Sequence, residues 1–145
     1  MKNLANCKPS EFLKQTNKIR KAVERWLDVT DILNIRRRLP DSQFIPAMAE
    51  PEERSRIIAA NAKARAEQVK ANINDMLDQV LEKHPDETLE VLALCSFVDP
   101  ADVDSHPMSD YLNSFYEMIN NEAVLGFFSL LVRAGQTNTQ PVSEG

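Results

Sequence analysis

Residues 9–30 read PSEFLKQTNKIRKAVERWLDVT, and the spacing of their apolar side chains decides the fold class. Phe12, Thr16, Ile19, Val23, Trp26, Thr30 and Leu33 follow one another at alternating steps of four and three, the period of one helical face. Leu13 and Leu27 widen that stripe. Lys14, Lys18, Lys21 and Arg25 occupy the other faces, and Pro9 suits a first helical turn, where its missing N–H costs nothing. The stretch is predicted as an amphipathic helix with a basic outside. A break is expected near Thr30, where Thr30 or Asp31 can cap a short second helix carrying Ile32 and Ile35. That helix should stop around Arg38, because Pro40 disfavours helix in the residue before it. Arg36, Arg37 and Arg38 then fall in its last turn, where cations favour the helix dipole.

The same period recurs downstream. Residues 39–50, with Pro40, Asp41, Ser42 and Pro46, read as an ordered loop whose Phe44, Ile45 and Met48 pack against something. Pro51, Glu52 and Glu53 start a helix predicted to reach Lys83. Its first half is rich in alanine and charge and has little to bury; its second half has an apolar face of Ile73, Met76, Leu77, Val80 and Leu81. At 1.5 Å per residue such a helix is about 50 Å long, so part of it is expected to project or to find a partner. His84-Pro85 ends it. The helix after that junction carries Leu89, Val91, Leu92, Leu94, Cys95, Phe97 and Val98, is apolar nearly all round and should be central. A loop over 99–106 leads to His106-Pro107 and a fifth helix with Met108, Tyr111, Leu112, Phe115, Met118 and Ile119. After Asn120 and Asn121, a last helix over 122–133 is apolar on most sides, with Gly135 as its C-cap. The expectation is an all-α single compact bundle of about six helices with one long, projecting central helix. It comprises a helical domain over 1–135 and a disordered tail over 136–145.

Composition excludes more than it identifies. The 145 residues include only three glycines, Gly126, Gly135 and Gly145, and none belongs to a loop able to cradle a phosphate, so Walker and Rossmann sites are out. No Asn-Gly or Asp-Gly hairpin signal supports a sheet. The longest apolar run, Ala123 to Val132, is too short for a membrane span, and Met1 to Pro9 lacks the apolar core of a signal peptide. A soluble protein of the cytoplasm is expected. Cys7 and Cys95 form no CxxC pair and read as free thiols.

Charge is segregated along the chain. Residues 8–38 carry nine Lys/Arg against four Asp/Glu, and residues 84–145 carry one against ten. The two halves can neutralise each other within the chain, or they can steer association, including self-association of copies head to tail. Nucleic acid is disfavoured, since the total is acidic (pI about 5.1) and no aromatic residues interleave the basic positions.

Catalytic chemistry has no constellation to rest on. His84 and His106 are the two histidines, no HExxH or Cys/His cluster exists, and the proline after each explains its place as a helix boundary. Asp99, Asp102 and Asp104 have the wrong spacing for a calcium loop and read as helix-capping acids. No cofactor, metal site or enzymatic activity is expected. Trp26 and the Phe127-Phe128 helix read first as core and second as partner anchors, which makes Trp26, Val124, Phe127, Phe128 and Leu131 the candidate partner-binding residues.

Three stretches carry a family likeness: Lys8-Pro-Ser-Glu-Phe-Leu-Lys-Gln-Thr-Asn-Lys-Ile-Arg through Trp26-Leu27, Pro85-Asp-Glu-Thr-Leu-Glu-Val-Leu-Ala-Leu, and Asn121-Glu-Ala-Val-Leu-Gly-Phe-Phe-Ser-Leu-Leu. In these, and in size, helicity and charge balance, the chain resembles the tail assembly chaperones of long-tailed phages and prophages. The Ala-rich 54–72 segment and the tail lie outside the likeness. The resemblance implies a non-enzymatic protein whose copies coat the tape measure protein, keep it soluble and help recruit the tail tube protein, and which often has a longer frameshifted form. The other reading is a helical adaptor or regulator of a phage or mobile element that binds one defined surface.

Overall fold

The computed structural model describes residues 1–139, which contain six α-helices and, among the described residues, no strand. They are α1 (Pro9–Thr30), α2 (Ile32–Arg36), α3 (Pro51–Leu77), α4 (Pro85–Cys95), α5 (Met108–Ile119) and α6 (Glu122–Thr139). A π-helical segment (Asp78–Lys83) prolongs α3, and a 3₁₀ segment (Pro100–Ser105) precedes α5. The expected all-α architecture of about six helices is present. The chain forms two compact units, one of residues 1–23 with 89 onward and one of Glu24–Thr88. The division falls inside α1 and inside α4, so both helices run through both units.

In the first unit Leu4, Cys95, Met118 and Val124 form the buried core, with Phe12, Ile19, Val91, Phe97, Phe115 and Phe128 packed on it. Leu4 comes from a segment with no helical period. Its seat is a tight polar turn: Ala5 N–H donates to Asn3 Oδ1 (2.7 Å), and Asn3 N–H donates to Asn6 Oδ1 (2.8 Å). Lys2 pairs with Glu11, which holds that carboxyl below its ordinary range, and the same ammonium lies 5.1 Å from the centre of the Phe97 ring.

No residue of α4 from Glu87 on is exposed, as expected of a central helix, but α4 stops at Cys95. Phe97 adopts φ 57°, and Val98 N–H donates to the Ala93 carbonyl (3.0 Å) while Phe97 N–H donates to that of Leu94 (3.3 Å). This is a Schellman turn with phenylalanine where glycine is usual. Gln15, buried on α1, also donates to the Leu94 carbonyl (2.6 Å), satisfying a helix-end acceptor from outside.

The second unit is organised by α3. Its inward line is Ile57, Asn61, Ala64, Gln68, Asn72, Met76 and Val80, at steps of three and four. Three of these are amides: Asn61 and Asn72 hold the loop that follows α2, and Gln68 donates to Asn72 Oδ1 (2.9 Å). Asn61 donates to the Gln43 carbonyl (3.1 Å) and accepts from Gln43 N–H (2.9 Å), and Asn72 donates to the Arg38 carbonyl (3.0 Å). Arg38 adds an ion pair with Asp75 (3.1 Å).

Helix α1 ends at Thr30, fully buried, whose hydroxyl donates to the Trp26 carbonyl (2.6 Å), and Asp31 turns into the left-handed region at φ 53°. The Trp26 indole N–H donates to Thr88 Oγ1 (2.9 Å), which lies 3.0 Å from both the Val80 and the His84 carbonyls. His84 N–H donates to the Gln79 carbonyl (2.8 Å), the five-residue closure of a π turn.

Several expectations are corrected. Leu13 and Leu33 are exposed, and the deeply buried members of α1 are Gln15 and Ala22, outside the expected stripe, together with Thr30 from within it. Phe44 and Met48 do not pack: they are 84% and 93% exposed. The apolar face of residues 73–81 divides, Met76 and Val80 turning inward and Ile73, Leu77 and Leu81 outward. Gly135 is no C-cap, since α6 continues through it to Thr139. Of the expected tail over 136–145, residues 136–139 belong to α6 and the remainder lies outside the described residues.

Candidate functional site

Helix α6 is the element on which sequence reading placed four of its five candidate residues. Asn121 starts it, accepting from Val124 N–H (3.1 Å) at the third helical position, while Asn120 closes α5 by donating to the Tyr116 carbonyl (2.8 Å). The two asparagines thus split one apolar stretch into two helices.

The first turns of α6 face inward. Val124 is 5% exposed and belongs to the core, so in this conformation it offers no surface to a partner. Phe128 packs on the same core. Phe127 is half-buried with its ring edge-on to Phe12 (5.4 Å) and to Phe128 (5.7 Å). Leu131, four residues beyond Phe127, continues that face past the point where the core covers it and is half-exposed. Leu130 and Val132 are exposed beside it, and Leu125 is exposed one to two turns earlier. Consecutive residues of a helix point about 100° apart, so Leu130, Leu131 and Val132 leave this end of α6 apolar on most of its circumference. Leu125, Leu130 and Val132 were not among the candidates. The signal for them was the breadth of the apolar distribution, which exceeds what one core-facing stripe needs.

Trp26 belongs elsewhere. It is half-buried in the second unit, and its indole N–H is bound to Thr88, the arrangement of a packed tryptophan with its polar edge satisfied.

The titratable groups are placed as helix-boundary devices. His84 Nδ1 lies 3.7 Å from Glu87 Oε2, and His106 Nδ1 lies 3.7 Å from Asp110 Oδ2, so each His-Pro junction sets its histidine beside an acid in the next helix. The two histidines are in different units, and no group of three metal-capable side chains occurs among the described residues. Asp99 Oδ1 accepts from Ala101 N–H (2.9 Å) and caps the 3₁₀ segment. Burial pushes the Cys95 thiol up to about 12 and raises that of Cys7 as well, the opposite of an activated nucleophile. No helix of the described residues is long and apolar enough to cross a membrane.

Comparison of the chain with protein-family models, with curated proteins and with solved structures finds no match in any of the three.

Proposed function

We propose that this chain is a non-enzymatic tail assembly chaperone of a long-tailed phage or prophage. In this reading several copies coat the tape measure protein in the cytoplasm of the host bacterium, keep it soluble and help recruit tail tube subunits. The observation that carries the reading is the exposed apolar end of α6, Leu130 to Val132, a surface suited to reversible contact with apolar helices. The likeness of the three quoted stretches to that family supports it from the sequence side.

Co-expression with the tape-measure candidate encoded beside this chain tests the reading by light scattering and size-exclusion mass. The expected result is a soluble complex with many copies of this chain per target, lost in a Leu130→Asp, Leu131→Asp variant that keeps its helicity. Equal aggregation of the target with and without this chain would overturn it. A helical adaptor is the second reading, favoured by Leu39, Phe44 and Met48, three large apolar side chains that stand in solvent on one loop. A one-to-one complex mass would select it.

A further inference from the structure

Beside its buried line, α3 carries a second apolar row left in solvent. Ile58, Ala62, Val69, Ile73 and Leu77 follow at steps of four and seven, which keeps them within about 100° of one another around the helix. Ile58, Val69, Ile73 and Leu77 are each about half exposed, and Ala62 is exposed. At 1.5 Å per residue the row is about 28 Å long. At its N-terminal end Leu39 and Pro40 of the loop form a wall, so that Ile58, Asn61, Ala62 and Arg65 line one side of a groove of about 460 Å³.

Charge frames this row asymmetrically in sign. Arg56, Lys63 and Lys70 recur at seven-residue steps along one edge, and Arg65 lies along the other. From residue 54 to residue 70 there are five cations and one carboxylate, Glu67. Among the described residues no carboxylate lies within ion-pair distance of Arg56, Lys63, Arg65 or Lys70.

We propose that this row is the docking surface for an acidic amphipathic helix of another protein. The occupant is a helix because the surface is a straight apolar line with anchors four and seven residues apart, and a facing helix repeats its own anchors at that interval. It is acidic because cations on both edges repel a basic helix and pair with carboxylates flanking an apolar stripe. The exposed parts of a second copy fit poorly. Between Ala123 and Gln136, α6 has no Asp or Glu and adds Arg133, while α5 has only 12 residues, about 18 Å, against the 28 Å of the row. The surface is distinct from the end of α6, and the proposal stands whatever α6 binds.

The test is fluorescence anisotropy with the full chain and two labelled synthetic peptides of 20 residues. Both are amphipathic helices with one leucine face, one flanked by glutamate and the other by lysine. The glutamate peptide is expected to bind about tenfold tighter or more, with the preference shrinking as salt rises. Ile73→Asp is expected to weaken it by about tenfold with the circular dichroism unchanged. Lys63→Glu, Arg65→Glu, Lys70→Glu together should reverse the preference between the twins, and this variant, which leaves the apolar row intact, decides the matter if Ile73→Asp loses helicity. Equal binding of the twins, or an unreversed preference in the charge variant, would overturn the proposal. So would sedimentation showing that the free chain self-associates and that Val69→Asp abolishes it, because a second copy would then occupy the row.

Discussion

Thr88 shows how one small side chain can join separated stretches of sequence. Its oxygen accepts the Trp26 indole proton from α1 and sits 3.0 Å from two carbonyls, those of Val80 and His84, at the π segment. Thr88→Val keeps the shape and removes the acceptor, stranding the Trp26 N–H. The expected cost is about 1–3 kcal/mol in urea unfolding, together with a shift in the emission of the chain's one tryptophan. An unchanged midpoint would mean that water replaces the hydroxyl. Cys95 carries a prediction of a different kind. Its folded pKa is about 12 against 9.0 for a free thiol, so the folded state holds its proton where the unfolded state releases it. Stability is therefore unaffected below about pH 9 and declines as pH rises from there towards about 12. The difference between the denaturation midpoints of the parent and of Cys95→Ala should narrow over that window, and a constant difference would show that the thiol is more accessible than its burial implies.

At the scale of elements, α6 carries two glycines inside a helix, where glycine is the poorest ordinary former. A Cβ at Gly126 would meet nothing within 4 Å. Gly126→Ala is expected to raise stability by about 0.5–1 kcal/mol, seen as a higher thermal midpoint, and a fall would place an unrecognised contact at that position. The elements also show what could be read from the sequence. Helices α1 and α5 were legible because their faces are apolar at helical spacing, so Phe12, Ile19, Tyr111, Phe115 and Met118 fell where expected, although Met108, Leu112 and Ile119 of the expected α5 face stand exposed. The inner line of α3 was not, because Asn61 and Asn72 satisfy the backbone of a loop and Gln68 braces Asn72 instead of burying hydrocarbon, and hydrophobic period is blind to that. The N-terminal part of the outer row, Ile58, Ala62 and Val69, was hidden by dilution with alanine and arginine, while Ile73 and Leu77 were read as apolar but on one face with Met76 and Val80. The turn that seats Leu4 was invisible for another reason: a single apolar residue held by local asparagine bonds has no period at all. On α6 the apolar breadth was legible, but which side of it the core would cover was not, since that depends on where Leu4, Phe12 and Met118 stand.

For the molecule as a whole, the continuity of α1 and α4 through both units has a thermodynamic reading. Neither unit can lose its helices without fraying the other's, so unfolding should be cooperative. Tryptophan emission reports the unit that holds Trp26, and reaction of the Cys95 thiol with a disulfide reagent reports the unit that holds Cys95. Their urea transitions are expected to coincide, and separate midpoints would mean that the two helices break at the unit boundary. The segregation of charge bears on the same scale: the basic flanks of α3 and the carboxylate-poor end of α6 differ in what they attract, so added salt should distinguish their partners.

The hydrogen bond from Trp26 to Thr88 has one more consequence. Because the threonine oxygen also reaches the carbonyls around the π segment, any ligand that rewinds residues 78–83 into α-helical register must shift that oxygen against the indole N–H. The protein thus contains its own optical gauge: the colour of a single fluorophore reads the winding of the end of its longest helix, with no label attached.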